Sequence, residues 1–126
     1  MLRGHVIEAG EVSDNRMQAL LAHARAMLMP SFIEGFGMPV VEALAAGVPV
    51  ICSDIIAHRE VGGDAPDYLD PLDGLGWMHM ICAYIAEDSP ERAAQRARIA
   101  QWRAPTWRDY FDIITGLLEE VTESVS

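Results

Sequence analysis

Lysine is missing from this chain altogether. Its nine basic residues are all arginine and face 19 Asp and Glu, for a net charge of −10 over 126 residues. That excess of acid argues against nucleic acid or an anionic membrane surface as a partner, since both repel it. Cysteine is nearly absent too. The two present, Cys52 and Cys82, lie in apolar segments and are expected as buried, reduced thiols rather than as a disulfide framework. No apolar run approaches the roughly 18 residues of a membrane span, and no secretory leader is expected, so the cytoplasm is the expected location. His5, His23, His58 and His79 are scattered without metal-ligand spacing on any one element, so no metal site is expected. There is no Ser-His-Asp or Cys-His nucleophile pattern, no repeat, no linker and no low-complexity segment.

What is present is apolar. Hydrophobic residues make up 51% of the chain, enough for a real core, and the length suits one domain over residues 1–126. Val6 to Ala9 reads as a short strand. Ser13-Asp14 can cap a helix from about Asn15 to Ala24, with Met17, Leu20, Leu21 and Ala24 at helical spacing. Ala26 to Met29, stopped by Pro30, reads as a parallel strand buried on both faces. Pro49 to Cys52 is the next strand, rich in β-branched residues, with Ser53 and Asp54 at its C-terminal end. Ala57 to Val61 suits one helical turn halted by Gly62-Gly63, and Tyr68-Leu69 a last, brief strand. Beyond Asp73 the alternation stops. Leu75 to Ala86 reads as a helix, with Trp77, Met78 and Met80 expected in the core. Ser89-Pro90-Glu91 opens another, running to about Arg103 with a solvated arginine-rich face. Thr106, with Asp109 three residues on, caps a final helix whose stripe is Phe111, Ile114, Leu117, Leu118 and Val121. The expected architecture is α/β: a partial Rossmann-like parallel sheet of about three or four strands, flanked by helices, with a C-terminal helical segment.

The chain is organised around Glu34-Gly35-Phe36-Gly37-Met38-Pro39-Val40-Val41-Glu42. A strand ends just before it, two glycines flank Phe36, and Pro39 suits the first turn of a helix from about Met38 to Ala46, closed by Gly47. A strand, a glycine loop and a helix start aim backbone N–H groups and a partial positive charge at one point. Small residues let a ligand approach the backbone. Glu42 is the one charge in an otherwise apolar helix and needs either a wet cleft or a partner, such as Arg25 or Arg59.

This stretch resembles the E-x7-E signature of the group 1 glycosyltransferases, retaining enzymes of the GT-B fold, which commonly reads E-G-F-G-x-P-x-x-E-A; here Glu34 to Ala43 matches throughout. The similarity extends to Val6–Gly10, to Ala24–Ser31, to Ala46-Gly47-Val48-Pro49-Val50-Ile51-Cys52-Ser53-Asp54, to Glu60–Ala65, to Leu69–Asp73 and to Trp107. The resemblance implies a nucleotide-sugar donor as substrate and no separate cofactor. It gives Glu34 the catalytic position, in contact with hydroxyls of the donor sugar. It turns the backbone of Gly35, Phe36, Gly37 and Met38 toward the sugar and its phosphate, and sets Glu42 against the ribose hydroxyls. Only the distal part of the family's C-terminal, donor-binding domain is matched. The acceptor domain and the upstream Arg and Lys that clamp the diphosphate have no counterpart. The isolated chain is therefore expected not to turn over, and the alternative is a non-catalytic binding or oligomerisation module on the same scaffold. A truncated parallel sheet exposes an edge strand, so a homo-oligomer formed through that edge is expected.

Overall fold

The structure is a computed structural model and describes residues 6–32, 37–106, 108, 115–116 and 118–122. Among these residues the order is α1 (Asp14–Ala22), β1 (Met27–Met29), α2 (Met38–Ala45), β2 (Val50–Ser53), α3 (Ile56–Gly62), β3 (Asp67–Leu69), α4 (Gly74–Ile85) and α5 (Pro90–Ile99). The strands form one parallel sheet in the order β1-β2-β3, with Met27 beside Val50 and Ile51 beside Asp67. Parallel neighbours need crossovers, and α2 and α3 supply them. The fold is the expected α/β arrangement, a Rossmann-like fragment.

β2 is the centre. All four of its residues are buried, as a parallel strand covered on both faces requires. Val40, Ala43 and Leu44 of α2 bury the stripe that packs with Val48, Val50, Cys52, Val61 and Ala65 in one cluster. α2 ends in a Schellman motif: Val48 N–H donates to Ala43 O at 2.9 Å and Gly47 N–H to Leu44 O at 3.0 Å. Gly47 sits at φ 76°, the left-handed conformation that makes glycine the natural residue there.

Several sequence expectations are corrected. Val6 to Ala9 is not a strand; it is exposed and pairs with nothing among the described residues, and a β-run without a ladder partner leaves its backbone to water. β1 is not buried on both faces. It is an edge among the described strands, with Leu28 44% exposed between two half-buried methionines. Cys52 is buried but Cys82 is exposed. Trp77 and Met80 are half-buried and Met78 is exposed, so α4 does not lie in the core as expected; Tyr84 is its one buried residue among those described. α5 stops at Ile99 rather than Arg103. There the chain turns so that the Trp102 indole donates to Val61 O at 3.0 Å. The arginine face of α5 is only partly solvated, since Arg98 reaches Asp67 and Ala65 O, and Arg92 reaches Arg25 O.

Of the expected caps, that of Ser89 is present, and Asp73 supplies one that the sequence reading did not name. Ser89 accepts from Arg92 N–H at 3.1 Å with Pro90 behind it. Asp73 caps α4 through Gly76 N–H at 2.9 Å, and a side chain on Gly76 would put its Cβ 2.2 Å from that carboxylate. The glycine that weakens the helix by propensity is what admits its cap. For the C-terminal helix, Asp109, Phe111, Ile114 and Leu117 lie outside the described residues. Residues 118–122 are helical, with Leu118 and Val121 exposed.

A buried polar clamp fixes the sheet to α5. In a parallel ladder Pro49 O and Ile51 N–H turn toward β1, so both polar groups of Val50 turn the other way, where β3 has not yet begun. The fully buried Gln95 amide fills the gap. It accepts from Val50 N–H at 2.6 Å and donates to Val50 O at 2.9 Å. Tyr84 donates to Asp67, whose other oxygen takes Arg98 at 3.0 Å. Burial and the neighbouring Asp67 carboxylate push the Tyr84 phenol pKa up.

Candidate functional site

The C-terminal ends of parallel strands are where open α/β sheets bind ligands. Here that edge carries Pro30 and Ser31 after β1, Ser53 at the end of β2 with Asp54 after it, and Asp70 after β3. Glu34, Gly35 and Phe36, the heart of the expected site, lie outside the described residues. Of the expected site residues the structure places Gly37, Met38 and Glu42.

Gly37 is the N-cap of α2, buried, at φ 65°. A Cβ there would lie 2.8 Å from Val61 Cγ2 and 3.0 Å from Ala57 O. The missing side chain is thus demanded by the packing of α2 on α3, independently of any ligand. Gly37 O accepts from Val40 and Val41 N–H at 3.1 and 3.2 Å, which starts the helix with Pro39 in its first turn. Met38 is 44% exposed beside this helix end, where the dipole is positive.

Glu42 is exposed. It stands two residues beyond Val40, about 200° round the helix, and so points away from the core stripe. It forms no ion pair among the described residues. The arginines that would have made it a structural salt bridge are engaged elsewhere: Arg25 donates to Tyr84 O and Ala86 O, and Arg59 holds Asp54. The carboxylate of Glu42 therefore resolves its burial problem by standing in water.

Sequence reasoning missed the cluster next to it in the chain. Arg59 grips Asp54 with a fork, Nε to Oδ1 at 2.6 Å and Nη2 to Oδ2 at 3.0 Å, and lies 4.1 Å from the centre of the Tyr68 ring. The hydrogen bond from Arg59 holds the Asp54 carboxyl below the usual carboxylate range. Burial pushes the Tyr68 phenol up, and its hydroxyl donates to Gly63 O at 2.7 Å. Asp54, Ile55, Ile56, Arg59 and Glu60 line a cleft of about 460 Å³. The sequence signal was present: an acid at a strand end and an arginine five residues on, within the following helix. Behind the cluster, His58 is fully buried. Its Nδ1 donates to Ser53 O at 2.9 Å, leaving Nε2 without a hydrogen-bond partner among the described residues.

Chemically, a helix N-terminus favours an anion and an exposed carboxylate accepts from hydroxyls. Among the described residues no group of three His, Cys, Asp or Glu is placed to hold a metal ion, and no helix is long and apolar enough to cross a membrane.

Comparison with known proteins bears on the same segment. A family model described as "Glycosyl transferases group 1" matches residues 1–67. The chain is 37% identical over 106 residues to O-antigen chain mannosyltransferase B of Escherichia coli, covering 84% of this chain and 28% of that protein. It is 33% identical over 128 residues to a phosphatidyl-myo-inositol mannosyltransferase of Mycolicibacterium smegmatis, covering 99% and 32%. It is also 31% identical over 109 residues to a glycogen synthase of Mycobacterium tuberculosis, covering 85% and 26%. The chain thus spans less than a third of the length of each of these relatives.

Proposed function

The chain belongs to the group 1 glycosyl transferases, and on that premise we propose that it is the nucleotide-sugar donor-binding portion of a retaining glycosyltransferase of the GT-B fold. In this reading residues 1–126 form a single domain, the distal part of the donor-binding half. Glu42 accepts hydrogen bonds from the ribose hydroxyls, the α2 N-terminus at Gly37 and Met38 faces the diphosphate and sugar, and Glu34, Gly35 and Phe36 complete the site. The observation that carries the reading is Glu42: an exposed carboxylate without an ion pair among the described residues, on an otherwise apolar helix, whose candidate partners Arg25 and Arg59 are engaged elsewhere. Retention at the anomeric centre follows from the E-x7-E resemblance, and stabilising the departing diphosphate would be much of the work. The named activities of two relatives make a mannosyl donor the first to test.

The experiment is a thermal-shift and titration screen of nucleoside diphosphate sugars, followed by Glu42→Gln. That variant keeps the shape but loses charge-assisted acceptance, and should weaken nucleoside binding by about 1.5–3 kcal/mol while leaving the melting temperature in place. A lower melting temperature with unchanged affinity would show Glu42 to be structural. A chain that no nucleoside diphosphate sugar shifts would remove the reading altogether. A second reading, an interaction module on this scaffold, is favoured by the exposed apolar face of α4.

A further inference from the structure

α4 reads Gly74-Leu75-Gly76-Trp77-Met78-His79-Met80-Ile81-Cys82-Ala83-Tyr84-Ile85 and contains no Asp, Glu, Lys or Arg. One side of it packs inward through Tyr84, Ile81 and Trp77. The outward side carries Leu75, Met78, Cys82 and Ile85, of which Leu75 is 68%, Met78 51% and Ile85 69% exposed, with Leu72 80% exposed just before the helix. A helix that is apolar all round is ordinarily covered all round. Here half of it faces water in a chain whose charged residues are otherwise abundant.

The spacing suits a second copy of the chain. The four residues follow at steps of three, four and three, a spacing that reads the same from either end. Laid against an antiparallel copy, Leu75 meets the second copy's Ile85, and the long Met78 meets the second copy's small Cys82. This is the self-complementarity that a two-fold interface demands. Pairing the patch hides on the order of 500 Å² from each copy, about 1,000 Å² together, the threshold for a specific interface. The net charge of −10 opposes the approach of two copies except through an uncharged face, and α4 offers one. We propose that this chain forms a homodimer by antiparallel packing of the α4 stripes about an axis near Met80. This places the interface on α4 rather than on the β1 edge.

The test uses sedimentation equilibrium of the chain and of two variants at exposed positions, Met78→Glu and Ile85→Arg, with circular dichroism to show that each stays folded. The dimer is expected at micromolar concentration. It should tighten as salt screens the like charges, and each variant should weaken it by at least about tenfold. Register is read by Met78→Cys. With mild diamide oxidation it should give a disulfide-linked dimer through the second copy's Cys82, and Met78→Cys combined with Cys82→Ser should not. A wild-type chain that stays monomeric to submillimolar concentration overturns the proposal. So does a dimer indifferent to both stripe variants, or cross-linking that survives Cys82→Ser.

Discussion

Replacing Gly37 by alanine makes two separate demands on the fold. The first is conformational: at φ 65° an L-residue pays about 1–2 kcal/mol relative to glycine. The second is steric. The new Cβ would come within 2.8 Å of Val61 Cγ2 and 3.0 Å of Ala57 O. Val61 can shift a little, but Ala57 O belongs to the α3 backbone and moves only with the helix. Overpacking of this kind costs about 1–3 kcal/mol, so the total is about 2–5 kcal/mol. That is a large share of the stability of any single domain, which runs to about 5–15 kcal/mol. At about 4 °C per kcal/mol the melting temperature should fall by roughly 8–20 °C. Gly47→Ala separates the two contributions. Gly47 has φ 76° but open space around its Cβ position, so its loss should show strain alone, about 1–2 kcal/mol. In a double-mutant cycle, Val61→Ala should relieve part of the Gly37→Ala penalty, with a coupling of about 1 kcal/mol or more. Urea denaturation of the four variants measures all of this. If Gly37→Ala costs no more than Gly47→Ala and shows no coupling to Val61, the glycine is there for something other than the α2–α3 contact.

Gln95→Leu should cost about 2–4 kcal/mol in urea denaturation, because it strands the buried N–H and C=O of Val50 at once, and a loss under about 1 kcal/mol would refute the clamp. Burial pushes the Cys52 thiol pKa up to about 12 from its ordinary 9.0. A raised folded pKa contributes stability that is whole below pH 9 and is lost as pH climbs toward 12, so Cys52→Ala should flatten the stability–pH curve across that window; an unchanged slope would contradict the assignment. At pH 8 a maleimide should label the exposed Cys82 rapidly and Cys52 only on unfolding, and equal labelling rates would mean the core is open. The chain by itself is expected to show no glycosyl transfer or donor hydrolysis above a Glu34→Ala control, and turnover well above that control would overturn the expectation.

The order of strands and helices was legible from residue patterns. Pro49 to Cys52 is continuous and β-branched because β2 is covered on both faces, and Ser89-Pro90 and Gly47 mark helix ends through local backbone chemistry that needs no distant partner. The motif from Glu34 to Ala43 carried the family with it. What sequence could not decide was what each face meets. Leu28 and Val6 look as apolar as Val50, yet one is on an edge and the other pairs with nothing described, since a strand is made by its neighbours. α4 reads as core because every residue in it is uncharged, and only its placement over α5 shows that half of it stays in water. Gly37 looked like a ligand-contact glycine by its position in the loop; the backbone of Ala57, twenty residues later, is what excludes its side chain. Gln95 sits among arginines on a helix that reads as solvated. Its role appeared only when the sheet brought Val50, 45 residues away, against it with two polar groups and no strand to receive them. Local propensity and periodicity travel with the sequence, whereas burial and hydrogen-bond satisfaction depend on which distant residues the fold sets side by side.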